Sequence, residues 1–224
     1  MNGKPASRLP QMTEILLVRH GETLWNQQGR MQGQQDSPLT ELGVRQARQL
    51  AARLKNVAFA ALYSSDLGRA YRTAVSIADE TGHEVVSDIR LRERNFGIFE
   101  GLTHAEIKAR YPEYHEAFAK RDPRFVMPGG ESARTFYERC LGCLAEIALR
   151  HEGESAVVVA HGLVLDSVYR AALGMRIEQP RGFPLLNCSI NTFRYEDGRW
   201  SAVAMCDVTH LEADDVTHFQ SRFV

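Results

Sequence analysis

Two aliphatic runs of this chain, 15–21 and 156–162, each end at a His-Gly pair. Short aliphatic and β-branched runs that stop at a glycine predict buried strands followed by loops. Ligands of open α/β sheets bind at the carboxyl ends of the strands. We therefore expect two imidazoles, His20 and His161, to meet at one edge of a sheet.

The order of predicted strands and helices indicates the fold class. Strand patterns alternate with helical periodicity, which is typical of an α/β domain with a parallel sheet. An Asp-Gly pair at 197–198, between two further strand patterns, predicts a final hairpin that adds an antiparallel strand. The predicted strands are 14–19, 59–63, 84–87 and 155–160, and the predicted helices are 40–54, 65–81, two short ones within 103–120 split at Pro112, 132–151 and 163–173.

Helix ends and cysteines give further local predictions. Thr40 is expected to cap the helix that follows it, and Ser65 or Asp66 is expected to cap the next one. Cys140 and Cys143 lie one turn apart in a predicted helix. Because no second Cys pair stands at zinc spacing, we expect both to pack in the core.

Length and charge narrow the class of protein. The chain has 224 residues, 44% of them apolar, enough for one domain with a full core. Lys and Arg number 27 against 28 Asp and Glu, a balance unlike that of a nucleic-acid-binding protein. Residues 1–12 have the composition of a flexible tail without a long apolar stretch, so we predict neither a signal peptide nor a membrane anchor. We expect a cytoplasmic location with reduced cysteines.

The first His-Gly pair has an arginine directly before it. A guanidinium is a forked cation that matches phosphate oxygens, and a neutral imidazole can act as a nucleophile. Arg19 beside His20 therefore points to phosphoryl chemistry. Neither predicted strand-end histidine belongs to a carboxylate cluster, so we expect no metal.

Five motifs occur in one order along the chain. The first is Arg-His-Gly-Glu-Thr-x-x-Asn at 19–26, and Ser-Ser-Asp-Leu-x-Arg-Ala follows at 64–70. Leu-Arg-Glu, Phe-Gly and Glu-Gly fall within 91–101, Gly-Gly-Glu-Ser stands at 129–132, and the second strand ends in His-Gly at 161–162. In this ordered set the chain resembles the histidine phosphatase superfamily, also called the phosphoglycerate mutase-like family, and within it the bacterial proteins labelled phosphoglycerate mutase of the second type.

The resemblance implies a three-layer α/β/α sandwich, formed as one domain over 13–224 with a lid-like insertion around 103–128. It also implies catalytic roles. His20 would attack phosphorus while a backbone carbonyl holds its other ring nitrogen, Arg19 and Arg69 would clamp the phosphoryl oxygens, and His161 would donate a hydrogen bond to the phosphoryl group.

Alternatives stand beside several of these roles. The resemblance makes Glu93 the general acid, but the residues alone do not choose between Glu93 and Glu22, and Glu93 could instead pair with Arg92 or Arg94. Arg69 could form a surface salt bridge on a helix. His161 could be a buried histidine paired with a carbonyl.

Substrate contacts are expected from loops and helix starts. Asn26 and Thr23 are candidates for phosphate binding, with capping of the following turn as the alternative for both. Gln32 is a candidate substrate contact or a plain loop amide. The Gly162 N–H group begins a helix and would bind an anion there. The remaining candidates are the cations Lys120 and Arg121.

Two departures separate the chain from the bisphosphoglycerate-primed mutases, which have Tyr where Phe96 stands and Lys where His104 stands. We therefore predict a phosphatase that hydrolyses the phosphomonoester of a small metabolite through phosphohistidine, without a cofactor. The alternatives are a phosphoglycerate mutase primed by 2,3-bisphosphoglycerate and an idle phosphate-binding protein. We predict no nucleic-acid or membrane partner and, from general symmetry statistics, a homodimer.

Overall fold

The computed structural model describes residues 12–216. The predicted tail 1–12 lies, apart from its last residue, outside the described residues. Within them, one mixed sheet has the strand order β3-β2-β4-β1-β5-β6. Its strands are β1 (Thr13–Arg19), β2 (Ala61–Ser64), β3 (Val85–Ser87), β4 (Ser155–Ala160), β5 (Ile190–Glu196) and β6 (Arg199–Asp207).

Strand direction follows the prediction. The neighbouring pairs among β1 to β4 are parallel, whereas β5 runs antiparallel to β1 and forms the final hairpin with β6. The two predicted His-Gly strands are direct neighbours, with Arg19 opposite Ala160. Because they are parallel and in register, both place their His-Gly pair at the same edge of the sheet.

Helices cover both faces of the sheet. They are α1 (Leu24–Gln27), α2 (Glu41–Leu54), α3 (Gly68–Thr81), α4 (His104–Arg110), α5 (Pro112–Ala119), α6 (Ala133–Arg150) and α7 (Gly162–Leu173). Leu16 and Val18 of β1 pack with α2 and α3, whereas Ile15 and Leu17 pack with α6 and α7. This alternation confirms the three-layer α/β/α sandwich. None of the helices within 12–216 is long and apolar enough to cross a membrane.

The segment between β3 and α6 has its own small core. As predicted, two short helices meet at Pro112. They rest on a cluster made of Phe96, Phe99, Ile107 and Met127, all nearly fully buried. The inserted helices are therefore fixed against the loop that follows β3. Their action as a lid stays a prediction.

Buried cysteines follow the prediction. Cys140 and Cys143 lie in the core between α6 and the sheet, and Cys188 is buried as well. All four cysteines of the chain, which the described residues include, are free thiols.

One capping prediction is confirmed and one is wrong. Thr40 caps α2, since its Oγ1 accepts a hydrogen bond from the Gly43 N–H at 2.9 Å. Neither Ser65 nor Asp66 caps α3, whose N-cap is Leu67. Asp66 forms an ion pair with Arg92 instead.

A carboxylate distant in sequence serves the start of α3. The Arg69 N–H, in the first turn of that helix, donates to Asp36 Oδ1 at 3.2 Å. This bond supplies an acceptor to a helix N-terminus that has no side-chain cap of its own. A tertiary contact has therefore replaced the local cap that the sequence predicted.

Gly43 sits at the closest approach between α2 and the loop that carries His20. A Cβ atom there would lie 2.0 Å from the Glu22 carbonyl oxygen, whereas a Cβ at Gly142 of α6 would meet nothing within 4 Å. We expect Gly43→Ala to lower the free energy of unfolding by about 1–3 kcal/mol, because backbone must move. Gly142→Ala, the control, is expected to raise it by about 0.5–1 kcal/mol. Urea unfolding measures both, and equal effects would contradict the prediction.

Candidate active site

A cleft that holds about 530 Å³ of space, solvent at its mouth included, has the carboxyl end of β1 and the start of α7 in its lining. It brings together most of the residues that the motifs singled out. Its lining consists of Arg19, His20, Asn26, Arg30, Met31, Gln32, Gly33, Arg69, Glu93, Phe96, Gly162, Leu163, Arg181 and Leu185.

His20 has one ring nitrogen fixed and the other available. Its Nδ1–H donates to the Gly21 carbonyl oxygen at 2.7 Å, which leaves the lone pair on Nε2. Burial lowers the pKa of His20 well below its ordinary value, and the charges of Arg69 and Arg19 lower it further. The imidazole is therefore neutral at physiological pH, the form that can act as a nucleophile.

Two buried guanidinium groups lie beside this imidazole. Arg69 is 1% exposed, so its predicted position on an exposed helix face is wrong, although it does pair with a carboxylate, Asp36. Its Nη1 and Nη2 groups donate to the carbonyls of Gln35 and Gly33 at 2.8 and 2.7 Å. Arg19 donates to the Leu185 carbonyl, and burial lowers its pKa to about 10. Carbonyl oxygens orient both guanidinium groups, and Asp36, whose Oδ1 lies 3.2 Å from Arg69 Nη1, compensates part of the charge of Arg69.

His161 stands against His20, with 5.3 Å between the ring centroids. Its Nε2 atom lies 2.8 Å from the Ser65 hydroxyl oxygen, so the expected alternative of a carbonyl partner is not observed. If the hydroxyl donates to Nε2, the ring proton resides on Nδ1, which is buried and has no hydrogen-bond partner. Burial, followed by the charge of Arg69, lowers the pKa of His161 well below its ordinary value.

Glu93 is the carboxyl group of the cleft. Its Oε1 accepts from the Arg94 N–H at 2.8 Å and its Oε2 from the Leu163 N–H at 3.1 Å. Removal from water raises the pKa of Glu93, while these two bonds and the charges of Arg69 and Arg19 oppose the rise. A carboxyl group in this environment keeps its proton to higher pH, as a general acid must.

The alternative partners for Glu93 are occupied elsewhere. The side chain of Arg92 pairs with Asp66, with Nε 2.7 Å from Oδ1. The Arg94 Nε group donates to the Glu131 carbonyl at 3.2 Å. The considered ion pair between Glu93 and either neighbouring arginine is therefore absent from this part of the structure.

Glu22 lies outside the lining of the cleft and serves the fold. Its Oε1 accepts from the Thr40 hydroxyl at 2.9 Å and from Gln27 Nε2 at 3.1 Å. These bonds tie α1 to the start of α2. The structure thus separates the two candidate carboxylates that the residues alone left open.

The substrate-binding candidates divide into two groups. Asn26, Gln32 and Gly162 line the cleft. Thr23 is fully buried, and its hydroxyl oxygen accepts from the Asn26 N–H at 3.2 Å, so it caps α1. Asn26 also takes part in this cap through Oδ1, 3.1 Å from the Thr23 nitrogen, while its Nδ2 group is buried without a partner.

The two lid cations lie elsewhere. Lys120 is exposed and is not part of the lining of the cleft. Arg121 lines a neighbouring cavity that shares Leu163 with the cleft. The structure therefore does not bring these cations to His20.

Sequence reasoning missed two arginines of the cleft, Arg30 and Arg181. Arg30 forms an ion pair with Glu106 at 2.7 Å and donates to the Gly101 carbonyl. Arg181 belongs to the segment between α7 and β5. Neither residue stands in one of the recognised motifs, and only the tertiary structure brings them beside His20. Within residues 12–216, no group of three or more His, Cys, Asp or Glu side chains is arranged to hold a metal ion.

Comparison with known proteins agrees with this geometry. The model of the histidine phosphatase superfamily (branch 1) matches residues 15–208. Phosphoglycerate mutase-like protein 4 of Arabidopsis thaliana is 42% identical over 203 residues, 89% of this chain and 87% of that protein. The metal-independent phosphoserine phosphatase of the same plant is 41% identical over 207 residues, 91% of this chain and 85% of that protein.

A solved structure shows the same fold. The Bacillus stearothermophilus protein YhfR superposes with a TM-score of 0.83 at 36% identity, covering 89% of this chain and 100% of its own. The match of the family model extends over more than half of the chain and includes both His-Gly strands. This chain therefore belongs to branch 1 of the histidine phosphatase superfamily, whose members are phosphoryl-transfer enzymes.

Proposed function

We propose that this protein is a phosphatase that hydrolyses phosphomonoesters of small metabolites through a covalent phosphohistidine at His20. One observation carries the proposal. Three buried atoms from different elements around His20 have no hydrogen-bond partner: Asn26 Nδ2, Arg69 Nε and His161 Nδ1, the last of which is a donor when the Ser65 hydroxyl donates to His161 Nε2. A phosphoryl group has the oxygen acceptors that such donors require.

The first step transfers the phosphoryl group to the protein. His20 Nε2 attacks phosphorus, the bond from phosphorus to the ester oxygen breaks, and Glu93 gives its proton to the leaving alkoxide. Arg19 and Arg69 stabilise the charge on the non-bridging oxygens. The Gly162 N–H group at the start of α7 favours the same anion.

The second step restores the protein. Water attacks phosphorus, the ionised Glu93 takes the proton that water loses, and the bond between phosphorus and Nε2 breaks. Inorganic phosphate leaves, and the enzyme regains neutral His20 and protonated Glu93. Guanidinium groups supply the stabilising charge and the imidazole of His161 supplies a hydrogen bond, so we propose that the reaction needs no cofactor. The similarity to a relative named as a metal-independent phosphatase supports this.

The mutase alternative differs in the acceptor, which would be a substrate oxygen in place of water. Phe96 lines the cleft at the position where bisphosphoglycerate-primed mutases have Tyr. A phenyl ring has no hydroxyl group to donate, so this cleft offers one donor fewer to phosphoglycerate. That difference favours hydrolysis, and a role for 2,3-bisphosphoglycerate as primer belongs to the alternative.

A panel of phosphomonoesters that includes 3-phosphoglycerate tests the function. We expect steady release of inorganic phosphate without 2,3-bisphosphoglycerate, at a rate that EDTA does not change. Interconversion of 3- and 2-phosphoglycerate that depends on the bisphosphate, with little free phosphate, would instead make the protein a mutase. Phosphate binding without turnover would indicate the idle protein.

The free state of the four cysteines fits a reducing compartment. We propose a cytoplasmic location, which this state of the thiols supports. A homodimer stays a prediction that sedimentation would test.

A further inference from the structure

We propose that Arg181 forms a second anion subsite in the cleft, one that binds a carboxylate of the substrate. The inference rests on the proposed phosphatase activity and specifies its substrates as phosphorylated carboxylic acids. It depends on the position of Arg181, on its incomplete pairing, and on the allocation of the other cations.

Arg181 lines the same cleft as His20 and Glu93. Its side chain is only 8% exposed. Its Nη1 atom is buried and has no hydrogen-bond partner. A buried donor without an acceptor costs free energy, and the cost is larger when the donor is charged. A ligand that supplies an acceptor would recover that cost.

The only carboxylate paired with Arg181 in the described part of the chain is shared. Asp166 Oδ1 lies 3.7 Å from Arg181 Nη1, too far for a hydrogen bond. The other carboxylate oxygen of Asp166 accepts from Arg170 Nε at 2.6 Å. One negative charge thus faces two guanidinium groups, and this buried group of three side chains carries a net positive charge.

The positive charge of Arg181 acts on the ionisable groups of the cleft. The charge of Arg181 contributes to the lowered pKa of Arg19, and Glu93 in turn favours the charged form of Arg181. Arg181 therefore lies within the electrostatic field of the reacting groups. It adds attraction for an anion in the cleft from the segment between α7 and β5, which carries none of the proposed phosphoryl donors.

The other cations of the cleft already have roles. Arg19 and Arg69 face the reacting phosphoryl group in the proposed function, and Arg30 is paired with Glu106. Arg181 would therefore be the cation that binds a second anionic group of the substrate. A planar guanidinium matches a carboxylate with two parallel hydrogen bonds. The carbon chain between the two anionic groups of the substrate would contact the apolar side chains that also line the cleft, Leu163, Leu185 and Phe96.

Two pairs of substrates isolate the carboxylate. O-phosphoethanolamine has hydrogen where O-phosphoserine has the carboxylate, and glycerol 3-phosphate has an uncharged hydroxymethyl group where 3-phosphoglycerate has it. In Arg181→Gln we expect kcat/KM for the two substrates with a carboxylate to fall by about 10- to 100-fold. This is the change expected from the loss of one charged hydrogen bond. The fall should lie mainly in KM, and kcat/KM for the two partners without a carboxylate should stay within about twofold. Arg181→Lys, which keeps the charge but not the fork, should retain part of the preference.

Arg176→Gln is the matched control. Arg176 lies in the same segment, but its side chain is 73% exposed and it is not part of the lining of the cleft. Arg176→Gln should keep the wild-type preference for substrates that carry a carboxylate. Equal loss by Arg181→Gln on all four substrates would assign Arg181 a structural role and overturn the proposal, as would an unchanged preference. Either result would leave the phosphatase activity standing, because the activity is tested at His20.

Discussion

His20→Ala is expected to reduce kcat for phosphomonoester hydrolysis by about 10⁴-fold or more, since removal of a nucleophile eliminates the covalent route. The remaining donors would still bind the substrate, so KM should change far less than kcat. The fold should persist, because His20 contributes one hydrogen bond to the neighbouring Gly21 carbonyl and little apolar packing. Circular dichroism and thermal unfolding would check the fold.

A covalent intermediate gives this prediction a second measurement. Wild-type protein quenched during turnover of a ³²P-labelled ester should carry label that acid releases and alkali does not, as expected for a phosphoramidate bond. His20→Ala should carry none. His83→Gln is the control, since His83 stacks on Phe59 and is not part of the lining of the cleft. Full activity in His20→Ala would remove the proposed mechanism.

Replacement of Glu93 by Gln is expected to lower kcat by about 10²- to 10⁴-fold for alkyl phosphates. An alkoxide is a poor leaving group that needs the proton of Glu93, whereas p-nitrophenolate leaves without one. The rate of phosphoryl transfer from p-nitrophenyl phosphate to His20 should therefore change much less. A pre-steady-state burst would show this, because the later hydrolysis step also uses Glu93.

The same residue sets the direction of the pH dependence. The raised pKa of Glu93 means that the protonated acid persists above its ordinary range. The rate for alkyl phosphates should fall as pH rises through that pKa, since the proton donor is lost. Because the pKa of His20 is lowered, its imidazole stays neutral and nucleophilic at pH values well below the ordinary pKa of histidine. Glu93→Gln should remove the alkaline decline, because glutamine does not titrate.

Glu22→Gln is the control that separates the two carboxylates. Glu22 bonds to Thr40 and Gln27 and is not part of the lining of the cleft. This variant should lose stability but keep the wild-type difference between alkyl and p-nitrophenyl phosphates. If Glu22→Gln flattened the alkaline decline and Glu93→Gln did not, the assignment of the proton donor would be reversed.

Much of this protein follows from local sequence. The periodicity of the chain predicted the alternation of strands and helices, and the Asp-Gly pair predicted the hairpin. The placement of His20 beside His161 followed from one further rule, that ligands bind at the carboxyl ends of neighbouring strands in an α/β sheet. These predictions succeeded because they depend on features that lie within a few residues of each other, repeated in two strands that become neighbours.

Other features were decided only by the tertiary structure. The start of α3 is bonded by Asp36 rather than by Ser65 or Asp66, and Glu93 rather than Glu22 reaches the cleft. Arg181 gave no signal in the sequence, since an arginine in an irregular segment is most often exposed. Each case depends on which distant side chains share a volume once the sheet and its helices have packed. A linear pattern specifies the period of an element, but the partners of a buried charge are set by that packing.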